Sequence, residues 1–100
     1  MQFTLIICTY KRSVPLLQLL HSVQHQTLYP NEILIVDGSP DDFTKEMLLQ
    51  NSFENLKYFK VDDSDRGLTK QRNYGIARVQ KESEVVCFLD DDTVLEPNYF

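Results

Sequence analysis

Alternation between short apolar runs and helical segments is the feature that most constrains how this chain can fold. Apolar, β-branched runs of strand length cover residues 3–8, 32–36, 57–61 and 84–89. Segments with helical spacing separate these runs. Strands and helices in this order predict right-handed βαβ units, and therefore an α/β, Rossmann-like parallel sheet with helices on both faces.

The helical segments carry distinct sequence signals. The first is expected to begin with Ser13 as its N-cap and Pro15 in its first turn. The second covers about residues 42–51, and the third about residues 68–81. Phe43, Met47 and Leu48 of the second helix are expected to face inward. The apolar positions of the other two helices are Leu16, Leu19, Leu20 and Val23, at helical spacing in the first, and Leu68, Ile76, Ala77 and Val79 in the third.

Composition predicts one small domain with an acidic surface. The chain has 100 residues, of which 42% are hydrophobic, so residues 1–100 are expected to form a single core. Ten basic and fifteen acidic residues give a net charge of −5, which argues against nucleic acid and anionic membranes as partners. No apolar run reaches the roughly 20 residues of a membrane span, so a cytoplasmic fragment is expected.

The cysteines and histidines are not expected to form a reactive or metal site. Cys8 and Cys87 lie in separate apolar runs, where a cysteine usually serves as a small buried hydrophobic residue. His21 and His25 are four residues apart on the first helix, with no third ligand nearby in the sequence. This spacing therefore favours a polar helix face over a zinc site.

Each predicted strand ends in polar or acidic residues. The four endings read CTYKR, VDGSPDD, VDDSDRG and DDDT. Because ligands of parallel sheets bind beyond the carboxyl ends of the strands, the four endings are expected to form one site. Ordinary turn chemistry explains any single ending, since Asp, Ser and Gly are common in turns.

Three successive aspartates, Asp90, Asp91 and Asp92, follow the last apolar run. Two carboxylates about 5 Å apart repel each other by roughly 3 kcal/mol at an effective dielectric constant near 20, so a partly buried group of three favours protonation or a cation. Oxygen ligands favour Mg²⁺ or Mn²⁺, which take part of their coordination shell from substrate phosphates. A diphosphate held through the metal is the expected ligand, and a solvated acidic turn is the alternative.

Further strand-end residues favour a nucleotide. Asp37 can accept hydrogen bonds from a ribose or a base, and Tyr10 offers a flat face for stacking. Arg66, Lys70 and Arg72 flank a predicted helix start, where cationic side chains and free N–H groups can meet phosphate. The alternatives are a solvated helix face for the two later cations and local packing for the tyrosine.

The chain resembles family 2 glycosyltransferases in four ordered segments. These segments are TYKR, SVQHQTLYPNEILIVDGSPDD, DRGLTKQRNYGI and FLDDDTVLEPNYF. Over its whole length the chain is similar to the N-terminal, nucleotide-sugar-binding half of these enzymes. The resemblance implies a GT-A fold, a nucleotide-diphosphate sugar donor, a divalent cation held by a DxD motif, and transfer with inversion at the anomeric carbon. A UDP- or GDP-sugar is the implied donor, with a dTDP-sugar as a further candidate, and the acceptor is a sugar, a lipid or a protein.

The resemblance also implies roles for residues around the nucleotide. Thr9 and Tyr10 match the first-strand loop that meets the base, and Arg12 of the same loop is counted with them as nucleotide-binding. Asp37 matches the acidic residue that recognises the nucleoside. Arg72 matches an arginine that lies near the nucleotide.

The outer carboxylates of the implied DxD motif are Asp90 and Asp92. Both are expected metal ligands, with Asp92 the better one, and Asp90 and Asp91 are also expected at the nucleotide. No catalytic residue is expected within residues 1–100, because the general base of an inverting enzyme of this family comes later in the chain, beyond Phe100. A sheet that stops after its fourth strand is expected to expose an edge through which a homodimer forms.

The chain departs from the family pattern at the second strand end. Family members usually have two acidic residues before the Gly-Ser pair, whereas Asp37 stands alone before Gly38 and Ser39. Asp41 or Asp42 is a candidate replacement.

Two other classes fit part of the sequence. The run FLDDDTVL satisfies a haloacid-dehalogenase phosphatase pattern, in which Asp90 is the nucleophile and Asp92 the acid/base. That pattern normally lies on the first strand, not the last. A non-catalytic receiver domain or nucleotide-binding module is the other alternative, although receivers need paired acidic residues where this chain has Thr9, Tyr10 and Lys11.

Overall fold

The computed structural model describes residues 2–96 and 99–100. Its strands are β1 (Phe3–Thr9), β2 (Glu32–Asp37), β3 (Leu56–Lys60) and β4 (Val85–Asp90). Its α-helices are α1 (Ser13–Gln24), α2 (Phe43–Gln50) and α3 (Leu68–Ile76), and a 3₁₀ turn at Asp63–Asp65 precedes α3. The strands form one parallel sheet in the order β3-β2-β1-β4, which confirms the predicted α/β, Rossmann-like fold.

Strand β1 lies in the centre of the sheet and brings the carboxyl ends of its neighbours together. Thr9 pairs with Asp37 of β2, and Cys8 pairs with Asp90 of β4. Lys60, the last residue of β3, pairs in turn with Asp37. Because all the strands run in the same direction, their endings meet at one edge of the sheet, as predicted.

One face of the sheet packs against α1. The fully buried apolar residues of this core are Leu5 and Ile7 in β1, Ile33 and Ile35 in β2, and Leu16, Leu19, Leu20 and Val23 in α1. Burying one such side chain stabilises a fold by about 1.5–3 kcal/mol. The apolar residues found at helical spacing in the sequence therefore form the buried face of α1.

Helix α3 covers the opposite face, but its buried residues are not among the apolar positions of its sequence. Gln71 and Gly75 are its buried residues, whereas Leu68 and Ile76 are 54% and 50% exposed. The reason is the close approach of the helix to the sheet: a Cβ atom on Gly75 would lie 2.9 Å from Cγ2 of Ile6. Gly75 allows α3 to approach the sheet closely, so the face that carries Gly75 is buried instead of the face that carries the apolar residues.

The end of α3 and the start of α1 also differ from the prediction. Helix α3 ends at Ile76, not near residue 81, because the next N–H groups bond three residues back, from Arg78 to Gly75 and from Val79 to Ile76. Ser13 is the first residue of α1 and not its N-cap. Arg12 holds the N-cap position, and its side chain turns to Asp92 instead of capping the helix.

Helix α2 buries a residue that its apolar pattern did not indicate. Phe43, predicted to face inward, is 67% exposed, and the adjacent Thr44 is buried instead. Met47 and Leu48 are half-buried and pack against the core, as predicted.

Thr44 provides a stability prediction. Within the described residues, its buried Oγ1 has no hydrogen-bond partner. Thr44→Val keeps the shape of the side chain and removes the unpaired hydroxyl, so we expect the free energy of unfolding to rise by about 1 kcal/mol, measured by urea unfolding. Thr44→Ser is the matched control, because it keeps the hydroxyl, loses a methyl group and should be less stable than the parent. A valine variant no more stable than the parent would contradict the prediction.

The cysteines and histidines are only partly as predicted. Cys8 and Cys87 are free thiols, but both are half-buried instead of fully buried. Burial raises the pKa of Cys8 to about 11, against the opposing effect of the Arg72 charge, so the thiol stays protonated at neutral pH. His21 is exposed on α1 and His25 is exposed at its C-cap, as expected for a polar helix face.

Strand β4 forms one edge of the sheet and is incompletely covered. Val85 and Phe88 are exposed along it. The expected homodimer through this edge stays a prediction. No helix within residues 2–96 and 99–100 is long and apolar enough to cross a lipid bilayer.

Candidate functional site

A cavity of about 470 Å³ lies at the carboxyl edge of the sheet. Its volume is within the usual range for small-molecule sites. Three structural elements supply its walls, namely the end of β1, the start of α3 and the end of β4. The lining residues are Cys8, Thr9, Tyr10, Arg12, Arg66, Gly67, Leu68, Gln71, Asp90, Asp91 and Asp92. The structure thus brings most of the predicted site residues into one cleft.

Asp91 is the buried member of the three aspartates. Its Oδ2 accepts a hydrogen bond of 2.9 Å from the Thr9 hydroxyl. Burial raises the pKa of the Asp91 carboxyl, and the neighbouring Asp92 adds to the rise, although the Thr9 hydrogen bond and the Arg12 charge act in the opposite direction. This carboxylate is therefore fixed to β1 and serves as the inner wall of the acidic rim.

Asp90 and Asp92 are exposed and differ in their surroundings. Asp92 Oδ2 lies 3.2 Å from Nη1 of Arg12, and the same nitrogen lies 3.5 Å from Asp91 Oδ1. Within the described part of the chain, no group of three or more His, Cys, Asp or Glu residues is arranged to hold a metal. Asp90 and Asp92 have the hard carboxylate oxygens that Mg²⁺ and Mn²⁺ prefer when substrate oxygens and water complete the shell, and their role as metal ligands stays a prediction.

Asp37 is buried at the end of β2 and does not line the main cavity. The side chain is fully buried; Oδ1 accepts a hydrogen bond of 2.9 Å from the N–H of Ser39, and Oδ2 accepts one of 2.6 Å from the Tyr58 hydroxyl. Burial, together with the Asp37 carboxylate, raises the pKa of Tyr58, which therefore remains a donor. Nucleoside recognition by Asp37 stays a prediction.

Ser39 connects this buried carboxylate to the loop after β1. Its hydroxyl oxygen accepts a hydrogen bond of 2.7 Å from the N–H of Lys11, a residue with a φ of 53°. A positive φ is unfavourable for a lysine, so the contact stabilises an uncommon backbone conformation next to Tyr10 and Arg12. The loop geometry at the cleft thus depends on residues from two strand ends.

A second cavity, of about 420 Å³, lies beside the first. It is lined by Ser39, Pro40, Lys60, Val61, Asp62, Asp63 and Arg66. Arg66 also lines the first cavity; its Nε donates a 2.6 Å hydrogen bond to the Gly38 carbonyl, and its guanidinium carbon lies 5.8 Å from the centre of the Tyr10 ring. Arg66 therefore separates two adjoining spaces at the sheet edge.

Three predicted residues are not among the described residues that line the main cavity: Asp37, Lys70 and Arg72. The guanidinium carbon of Arg72 lies 5.4 Å from the centre of the Phe88 ring, beside the cleft. Lys70 is exposed on α3. Their proximity to phosphate stays a prediction.

Sequence reasoning missed Gln71, a buried residue of the cleft. Its Nε2 donates hydrogen bonds to the carbonyls of Thr9, at 3.2 Å, and Val36, at 2.9 Å. Its Oε1 accepts one of 3.1 Å from the N–H of Gly67. The sequence signal was its spacing of four from Gly75, which places both residues on one helix face.

Comparison with known proteins identifies the family. The sequence model of the protein family described as glycosyl transferase family 2 matches residues 4–100. The chain belongs to glycosyl transferase family 2. This membership confirms the resemblance found in the sequence, and it favours a transferase over the phosphatase and receiver alternatives.

Curated family members are considerably longer than this chain. It is 30% identical over 95 residues to the O-antigen chain rhamnosyltransferase RfbN of Salmonella typhimurium, a match that covers 95% of this chain and 29% of RfbN. It is 32% identical over 96 residues to the GalNAc(5)-diNAcBac-PP-undecaprenol beta-1,3-glucosyltransferase of Campylobacter jejuni, covering 94% of this chain and 30% of that enzyme. The chain thus spans somewhat less than a third of the length of these relatives.

Solved structures of the family share the fold. The crystal structure of S. aureus TarS 1–349 superposes with a TM-score of 0.75 at 28% identity, over 92% of this chain and 28% of that one. TarS 1–349 in complex with UDP-GlcNAc gives a TM-score of 0.76 at 28% identity, over 92% of this chain and 27% of that one. The family 2 chain described here therefore has the GT-A type of α/β fold.

Proposed function

We propose that this chain binds the nucleotide-diphosphate sugar donor of a metal-dependent, inverting glycosyltransferase. The observation that carries the proposal is the cleft at the carboxyl edge of the sheet, where Asp90, Asp91 and Asp92 face the N-terminus of α3. A helix N-terminus favours phosphate, and exposed carboxylates favour a divalent cation, so the two walls suit opposite ends of a metal–diphosphate pair.

The residues of the cleft have separate roles in this proposal. Tyr10, which lines the main cavity beside Arg66, contacts the nucleoside, while Asp90 and Asp92 hold Mg²⁺ or Mn²⁺. The complex of TarS with UDP-GlcNAc supports UDP as the first nucleotide to test. Relatives of about three times the length support a division of labour in which other regions supply the acceptor site and the general base.

Charge development explains why such a cleft would assist sugar transfer. As the bond between sugar and phosphate breaks, negative charge accumulates on the leaving diphosphate. The first turn of α3 and the guanidinium groups of Arg12 and Arg66 border the cavity and lower the energy of that charge. A divalent cation on Asp90 and Asp92 would neutralise the same charge as a Lewis acid.

Titration calorimetry with UDP and GDP, with and without Mn²⁺, tests the proposal. We expect UDP binding to require Mn²⁺, and Asp92→Ala to weaken it at least about tenfold, because a metal ligand is lost. Glu84→Ala is the matched control, since it removes one negative charge at the opposite edge of the sheet. If the affinity for UDP changed neither on addition of Mn²⁺ nor in Asp92→Ala, the proposed metal site would be excluded. A folded chain that binds neither nucleotide would exclude the donor site.

A further inference from the structure

A side-chain cation already bridges two of the three aspartates. Nη1 of Arg12 lies 3.2 Å from Asp92 Oδ2 and 3.5 Å from Asp91 Oδ1. Arg12 follows β1, whereas Asp91 and Asp92 follow β4, so the contact joins the ends of two separate strands. The carboxylate oxygens that suit a divalent cation are therefore partly neutralised from within the chain.

The pairing with Asp92 is open to exchange. The side chains of Arg12 and Asp92 are 53% and 60% exposed, and exposed ion pairs contribute little stability. Asp91 differs, because its side chain is only 12% exposed and is bonded to Thr9. Arg12 can thus leave Asp92 while the inner carboxylate keeps its place.

The backbone that carries Arg12 is held in position, while its side chain is about half exposed to solvent. The Arg12 carbonyl accepts a 3.0 Å hydrogen bond from the N–H of Leu16, and the preceding Lys11 N–H is bonded to Ser39. The guanidinium group also lines the cavity in which we place the diphosphate. A rotation of the side chain alone therefore moves the charge from the aspartates to the ligand.

We infer that Arg12 is an exchangeable counter-cation of the donor site. Without a metal, Arg12 neutralises Asp91 and Asp92. A divalent cation would displace it from Asp92, and the released guanidinium would face the diphosphate. The inference rests on the proposed function, since it needs metal-dependent donor binding. It assigns Arg12 two effects of opposite sign, competition with the metal and attraction of the nucleotide.

Mn²⁺ binding without nucleotide tests the first effect. Free Mn²⁺ is measured by electron paramagnetic resonance in solutions of the parent chain, Arg12→Gln and Arg78→Gln. Arg78 packs over Tyr74 on α3 and away from the cleft, so Arg78→Gln changes the net charge equally without changing the aspartates' partner. We expect Arg12→Gln to bind Mn²⁺ about two- to fivefold more tightly than Arg78→Gln, the size of an exposed ion pair. Arg12→Lys, which keeps the charge, should remain close to the parent chain.

UDP affinity at saturating Mn²⁺ tests the second effect. Arg12→Gln should bind UDP about two- to fivefold more weakly than Arg78→Gln, because the released guanidinium is missing. A loss of folding would lower the affinity for both Mn²⁺ and UDP. The inference instead requires that the same variant bind Mn²⁺ more tightly and UDP more weakly. Equal Mn²⁺ affinity in the two glutamine variants, with UDP binding intact in the parent chain, would overturn the exchange alone. A folded parent chain that binds no UDP would overturn the proposed function and this inference together.

Discussion

Replacing Glu32 with alanine is expected to lower the free energy of unfolding by about 3 kcal/mol. Glu32 is 1% exposed. It is the first residue of β2 and therefore lies at the end of the sheet opposite the cleft. Oε1 accepts hydrogen bonds from the Thr4 hydroxyl, at 3.0 Å, and from the N–H of Gln80, at 3.1 Å, while Oε2 lies 3.0 Å from Nζ of Lys57. Removing the carboxylate would leave buried donors without an acceptor, which costs more than the net value of the bonds themselves.

The size of this effect follows from how many elements the carboxylate joins. Thr4 belongs to β1 and Lys57 to β3, and Gln80 lies in the connection between α3 and β4. The Thr4 hydroxyl is also hydrogen-bonded to Ser83 of that connection. Glu32 therefore fixes the return of the chain from α3 into β4, the strand that leads to the aspartates of the cleft.

Two further substitutions separate the buried bonds from the ion pair. Glu32→Gln keeps an oxygen for Thr4 and Gln80 and should cost about 1 kcal/mol. Lys57→Met removes only the ion pair of a lysine that is 58% exposed and should cost at most about 1 kcal/mol. Urea unfolding at pH 7 measures all three variants. A cost of Glu32→Ala equal to that of Lys57→Met would mean that the buried hydrogen bonds contribute nothing.

The same carboxylate gives stability a defined pH dependence. Burial acts to raise the pKa of Glu32, but the hydrogen bonds from Gln80, Lys57 and Thr4 outweigh it and leave the pKa below its usual value of 4.5. A carboxyl whose pKa is lowered by folding stabilises the fold above its unfolded pKa, and this contribution is lost as the pH falls through the folded value. The difference in stability between the parent chain and Glu32→Gln should therefore be full at pH 7 and decrease below about pH 4.5. A difference that stays constant down to pH 3 would contradict this account.

The sequence was sufficient for the features that depend on local pattern and on sheet geometry. The strands follow from apolar runs, and the meeting of Thr9, Asp37 and Asp90 follows from the rule that parallel strands end at one edge. The α1 face was predictable because its apolar residues repeat at helical spacing against a continuous apolar sheet.

The remaining features depend on contacts between residues far apart in the chain. Leu68 and Ile76 are apolar but exposed, whereas α3 meets the sheet at Gly75, where an added Cβ would lie 2.9 Å from Cγ2 of Ile6 in β1. Likewise, the pairing of Arg12 with Asp92 joins residues 80 positions apart. Propensity and periodicity describe neighbours in sequence, so they contain no information about which rotamer such a partner selects.

The second large effect is expected for Gln71→Met, which should lower the free energy of unfolding by about 2 kcal/mol and weaken UDP binding about tenfold. The amide of Gln71 is 4% exposed and joins the end of β1, through Thr9, to the end of β2, through Val36. Its Oε1 accepts a hydrogen bond from the N–H of Gly67, the residue directly before α3. Methionine fills a similar volume without any of these bonds, so packing is largely kept while buried polar groups lose their partner.

The effect on binding follows from where these bonds lie. Thr9 and Gly67 stand on opposite walls of the cavity, and Gln71 is the side chain that joins them. Without it, the β1 loop and the start of α3 can shift relative to each other, and a displacement of about 1 Å in a binding site is enough to cost large factors in affinity or rate. Gln71 thus acts through the residues that meet the ligand, as a positioning residue.

Gln18→Met on the exposed side of α1 is the matched control, because it makes the same exchange on a helix surface far from the cleft. It should change neither stability nor UDP affinity by a measurable amount. Calorimetry well below the melting temperature of Gln71→Met separates its two effects, since nearly all of the variant is folded there and its weaker binding then reports the shape of the cleft. A Gln71→Met chain that is less stable but binds UDP as tightly as the parent would show that the amide supports only the fold, whereas weak binding by a folded variant would show that the geometry of the donor site depends on it.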